Sequence, residues 1–223
     1  MISQVRAAGA AAMVIALAFA VHLSNIFYFE PRMGFARLTD YASFAKLAVG
    51  LRSTSWLWSG YAHFATGLAL VVLASIGGRL IEPQRPLAGR LIFATGLLAA
   101  LPFTFTGVCD ITGRNLREML DLTNPGHSDA LYGALALLRG IVNNLSIVLL
   151  GWFILHLNRN LRRTRRLGFL LGLLGYLTGL TAFSAYAWPG GYGLAYLLTP
   201  AWALWMGVEF ITDAAHVALP EDV

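Results

Sequence analysis

The chain has 223 residues, of which 57% are hydrophobic and only 12% charged. A soluble domain carries about 25% charged residues, so so low a share cannot cover a water-facing surface, and a mean hydropathy of +0.65 points the same way. These totals exclude a soluble globular fold and imply an all-α polytopic membrane protein, in which spans of about 20 apolar residues leave room for roughly six or seven helices and no separate soluble domain.

Six apolar runs follow in chain order, at 7–29, 56–76, 91–108, 131–155, 167–188 and 194–211. Each can form a helix, which satisfies its own backbone hydrogen bonds in lipid. The first run imitates a signal peptide, with Arg6 before it and Ala18-Phe19-Ala20 fitting a small-x-small cleavage rule. Its length is enough to span, so it is read as the first transmembrane helix. Between runs one and two, the segment 35–51 places Phe35, Leu38, Phe44, Leu47 and Leu51 near helical spacing with Arg37, Asp40 and Lys46 between them. That pattern predicts an amphipathic helix on the outer surface. Between runs three and four, 109–130 is read as a second outer segment, with a short helix over 116–122 and a turn at Asn124-Pro125-Gly126. The pentapeptide Phe64-Ala65-Thr66-Gly67-Leu68 recurs at Phe93-Ala94-Thr95-Gly96-Leu97. In so Ala-, Gly- and Leu-rich a chain it reads as small-residue helix packing in preference to an inverted repeat.

Orientation follows from the basic residues. Arg6, Arg79, Arg85, Arg90, Arg159, Arg162, Arg163, Arg165 and Arg166 fall on one side, while the six cations of the other side are matched in number by acidic residues. The arginine-rich side is expected to be cytoplasmic, with both termini there. The net charge of +5 then reflects topology and no nucleic-acid partner; the expected partner is the lipid bilayer.

Ionisable groups inside spans are expensive and mark functional candidates. His22 and His63 lie roughly 10 Å and Arg139 roughly 12 Å inside the outer boundary at 1.5 Å per residue. Asn25 is one turn from His22, and Asn143 and Ser146 continue the stripe of Arg139. Together His22, Asn25, His63, Arg139, Asn143 and Ser146 define a candidate outer-half pocket for a small anionic molecule or lipid. The competing reading is structural: Arg139 stitches helices through a carbonyl or a loop carboxylate such as Asp110, and the histidines bond between helices. Glu209 is the one carboxylate placed clearly within a span, near its inner end. Two histidines at one depth could also ligate a b-haem if their side chains faced each other; otherwise no cofactor and no metal are expected. Cys109, the sole cysteine, reads as a small buried residue near a helix end.

Several activities are excluded. The only lysine, Lys46, is outside the spans, so a retinal Schiff base has no partner. His-Glu-x-x-His, Gly-x-Ser-x-Gly and P-loop patterns are absent. A non-enzyme is favoured, as a ligand binder or as a subunit of a larger membrane complex.

Arg6 before the first span, the stretch Val49-Gly50-Leu51-Arg52, and the closing span 200–207 followed by Glu209 make the chain resemble an uncharacterised family of bacterial six-helix inner-membrane proteins. The resemblance implies a single six-helix domain over 1–223 in a bacterial inner membrane, and no activity, cofactor or substrate.

Overall fold

The computed structural model describes residues 1–35, 46, 49–50, 53–123 and 127–218. Among them all regular structure is helical. Helix α1 (Ile2–Ser24) passes through a π-helical turn, Asn25–Phe29, into a short α2 (Glu30–Arg32). Then come α3 (Thr54–Ile81), α4 (Pro86–Thr123), α5 (Ser128–Arg163), α6 (Phe169–Ser184), α7 (Pro189–Thr212) and a short α8 (Ala214–Ala218).

Local chemistry sets several starts. The Ser53 hydroxyl accepts from the Trp56 N–H at 3.1 Å and caps α3, satisfying one of the free first-turn donors. Pro86 and Pro189 open α4 and α7, where a missing N–H costs nothing. Pro102 and Pro200 lie inside helices that continue past them. The Thr199 hydroxyl bonds Ala195 O at 2.7 Å, not the Tyr196 carbonyl that Pro200 leaves free.

The described chain is an all-α protein with five helices long and apolar enough to cross a membrane, beginning at Ile2, Thr54, Pro86, Gly133 and Gly190. A shorter apolar helix, Phe169–Ser184, accompanies them. Each long element packs on its chain neighbours, and α7 returns to α1, so the helices close a ring. At one end the closure is tight, because Gly9 and Gly207 bring α1 and α7 together; a Cβ on Gly9 would lie 2.9 Å from Gly207 O. Small residues allow that approach. The interior near this end is apolar, with Ile15, Leu73, Phe153, Leu157, Met206 and Phe210 fully buried. Arg166, in the turn before α6, donates to Val217 O of α8 and ties the C-terminal segment to this end.

Two expectations need correction. The 109–130 segment is not a loop with a short helix: α4 runs unbroken to Thr123. A helix leaving the bilayer keeps its hydrogen bonds at no cost, and an ion pair described below anchors its polar extension. Consequently Cys109, though buried, sits well inside α4 rather than at a helix end. Glu209 is also not alone, since Asp110 and Glu30 fall within candidate spans Pro86–Gly113 and Ile2–Arg32. The amphipathic helix expected over 35–51 and the turn at 124–126 lie outside the described residues, apart from Phe35, Lys46, Val49 and Gly50.

Candidate functional site

A cavity of about 590 Å³ opens in the ring at the end away from the arginine cluster. An aromatic layer packs beneath its histidines. Phe19 of α1 meets Phe103 of α4 edge-on with centroids 6.1 Å apart, and lies 5.3 Å from Tyr196 of α7. Phe19 and Phe103 are fully buried. Above them the lining turns polar.

Five of the six residues singled out from sequence line this cavity: His22, Asn25, His63, Arg139 and Asn143. Ser146 does not. It is fully buried on α5, and its hydroxyl is spent on Asn143 O at 2.6 Å. A π-helical turn, Asn25–Phe29, lies in the part of the first helix that borders the cavity. A wider turn shifts the register by a residue, and His22, Asn25, Ile26 and Glu30 all reach the cavity wall.

The Arg139 guanidinium is met by Asp110. Nε donates to Oδ1 at 2.7 Å and Nη2 to Oδ2 at 2.8 Å, a bidentate pair whose geometry suits the planar fork. The Asp110 side chain is fully buried, and that of Arg139 is 11% exposed. A buried pair recovers its desolvation cost only with good geometry and further hydrogen bonds, and the bidentate fork supplies the geometry. Arg139 also lies over the Trp56 ring, 4.5 Å from its centroid, within cation–π range. His63 Nδ1 faces Asp110 Oδ2 at 3.4 Å.

From His63 a chain of bonds runs across the cavity. His63 Nε2 donates to Asn143 Oδ1 at 3.0 Å, Asn143 Nδ2 donates to the Tyr192 hydroxyl at 2.6 Å, and Tyr192 and Tyr196 share a bond of 3.3 Å. On the opposite wall His22 Nδ1 and the Ser59 hydroxyl are 2.9 Å apart, Asn25 Nδ2 donates to Ser55 O at 2.9 Å, and Trp56 Nε1 donates to Glu30 Oε1 at 3.1 Å. Two buried side-chain atoms of the lining residues make no hydrogen bond: His63 Nδ1, which has the Asp110 carboxylate beside it, and His22 Nε2, which has no such neighbour.

The rings of His22 and His63 touch, with centroids 4.0 Å apart and planes inclined by 41°. Two metal–nitrogen bonds of about 2 Å each would hold opposed imidazole centres on the order of 6 Å apart, so this contact is not a bis-histidine haem geometry. Among the described residues no three His, Cys, Asp or Glu side chains are arranged to hold a metal ion.

Sequence reasoning missed Glu30, Trp56, Ser59, Tyr192 and Tyr196 as site residues. Trp56 and Tyr192 stand beside the outer ends expected for their apolar runs, where aromatic residues serve as interfacial anchors, yet Trp56 is 1% exposed and Tyr192 lines the cavity. Trp58 and Trp188, placed at the same boundary by sequence, are indeed exposed, at 62% and 52%. One signal was available: Ser59 and His63, and again Tyr192 and Tyr196, are four residues apart and share a helix face. No protein-family model, curated protein or solved structure matches this chain.

Proposed function

We propose that this chain is an integral protein of a bacterial inner membrane, crossing it six times with both termini cytoplasmic, and that it binds a small molecule in the outer-half cavity. What supports six crossings is the ring itself. The 16 residues of α6 cover about 24 Å at 1.5 Å per residue. That is a little short of the hydrocarbon thickness, and the helix is flanked by the arginine-rich turn on one side and exposed Tyr186 and Trp188 on the other. The nine arginines gather at one end, which supports a cytoplasmic assignment.

The observation that carries the binding reading is His22 Nε2, a buried polar atom with no partner on the wall of an open cavity. Buried polar groups are nearly always paired, and each exception calls for an explanation. A volume of about 590 Å³ falls within the range of small-molecule sites. The geometry also refines the ligand's chemistry. Arg139 no longer needs an external anion, because Asp110 supplies one, and the Glu30 carboxylate stands on the same wall. The remaining guanidinium donors and the free imidazole nitrogen suit an uncharged molecule with carbonyl or hydroxyl groups, its flat or apolar part against Tyr192 and Tyr196.

Native mass spectrometry of the protein released gently from its own membranes tests this. The expected result is an added small-molecule mass that survives activation, and that is lost from a His22→Leu variant of unchanged melting temperature. A bare chain throughout, or an adduct indifferent to His22→Leu and Tyr196→Phe alike, overturns the proposal. An added mass of protein size would instead favour a subunit of a larger complex.

A further inference from the structure

A second hollow, of about 450 Å³, lies at the opposite, arginine-rich end, between the α3–α4 turn, the start of α4 and the last turns of α5. We infer that it is a binding site for the phosphate headgroup of an anionic phospholipid, with the acyl chains descending along α4. The inference is independent of the outer cavity.

The wall on α5 comes from one helix face. His156, Arg159, Asn160 and Arg163 are spaced so that all four line the hollow, and Trp152, one turn before, packs edge-on against His156 with centroids 5.9 Å apart. The stripe therefore passes from an aromatic residue, through imidazole, to two guanidinium groups. That is the order of environments met on moving from hydrocarbon through the headgroup layer to water.

The third cation is built in. Arg85, in the turn after α3, donates from Nη1 to Asn160 Oδ1 at 2.6 Å. Asn160 is 4% exposed, and its own amide donates to His156 O at 2.8 Å. A buried amide thus positions the Arg85 side chain beside Arg159 and Arg163, with donors to spare. Among the described residues no carboxylate lines the hollow. The nearest in sequence, Glu82, pairs instead with Arg90, Oε1 lying 3.5 Å from Nε. Three guanidinium groups converging on one space without an acid repel one another, and a phosphate monoanion relieves that repulsion through charge-assisted hydrogen bonds.

The choice of a lipid over a free phosphate rests on the other wall. Pro86, Leu87, Ala88 and Leu91 line it, and Leu87 and Leu91 are 72% and 41% exposed. A soluble phosphate gains nothing from such a wall, whereas the glycerol and first methylenes of a lipid cover it. Basic pockets between spanning helices at this face recognise anionic headgroups in this way.

The test uses the full chain in micelles doped equally with phosphatidylglycerol and phosphatidylcholine, with bound lipid counted by native mass spectrometry. Phosphatidylglycerol should be enriched on the wild type. Replacing Arg85, Arg159 and Arg163 by Gln should abolish the enrichment, each single change weakening it by about fivefold, as expected for an arginine near an anionic surface. A control triple, Arg6→Gln, Arg79→Gln and Arg90→Gln, removes the same charge elsewhere and should leave it intact. Arg163→Gln alone removes an exposed side chain, so its effect is readable even if the triple variant fails to fold. Absence of enrichment, or equal loss in both triples, overturns the site. Displacement of the lipid by an equal concentration of soluble glycerol phosphate overturns the lipid as its occupant.

Discussion

Phe19 and Phe103 divide one ring of helices into two halves that are filled differently. Toward the arginine-rich end, Phe153, Leu157, Met206 and Phe210 interlock with full burial. Asn158, a polar side chain among them, is locally satisfied: it donates to Ile154 O at 2.9 Å and accepts from Trp202 Nε1 at 3.4 Å. Toward the other end the same helices carry Asp110, Arg139, two stacked histidines and two tyrosines around a cavity of about 590 Å³. The difference teaches where each half gets its cohesion. Lipid tails are as apolar as leucine, so apolar packing inside a bilayer gains no transfer energy and must work through shape. The cavity half is held by an ion pair and hydrogen bonds, which do not require the volume to be filled. Inside the ring of described helices, the cavity lies in the half whose cohesion does not depend on filling it.

The sharpest way to break this contrast is to remove one member of the ion pair. Arg139→Met leaves the buried Asp110 carboxylate uncompensated and should cost about 3–5 kcal/mol, while Arg139→Met with Asp110→Leu should recover most of that loss. Denaturant-driven unfolding of the four proteins in detergent, treated as a double-mutant cycle, measures it. Independent, additive losses would show that the pair does not hold the cavity half.

A smaller effect is expected in the packed half. Phe153→Ala removes a side chain that is fully buried. In water such a change combines a transfer term with a cavity term; in a bilayer only the second remains. At about 24 cal/mol per Å³ and roughly 100 Å³ left open, the loss should be about 2 kcal/mol. A loss as large as that of Arg139→Met would mean that the two halves are not held by different forces.

The smallest effect sharpens the picture within the cavity half. Ser59→Ala removes the partner of His22 Nδ1. Single hydrogen bonds between membrane helices average about 0.6 kcal/mol, so stability should barely move. Ligand retention by native mass spectrometry should nonetheless fall, because the ring that presents Nε2 to the cavity is no longer oriented. Unchanged retention would place His22 outside the recognition chemistry.

The membrane class, the helical content and the sidedness of charge were legible in the sequence because they depend on composition summed over long runs. A shared level was legible too: a fixed rise per residue put His22, His63 and Arg139 beside one another, and the structure gathers them around one cavity. The rest depended on azimuth and on helix ends. No periodicity marks which face of an all-round apolar helix points inward, so sequence could not separate buried Trp56 from exposed Trp58, or cavity-lining Tyr192 from exposed Trp188. Nor could it show that α4 stays helical past its apolar run, which moves Asp110 from a loop to a buried partner of Arg139. That pairing joins residues 29 positions apart through the packing of α4 on α5. Only closure of the ring, by Gly9 against Gly207 at one end and the open polar level at the other, decided which polar groups satisfy each other and that His22 Nε2 is left facing the cavity.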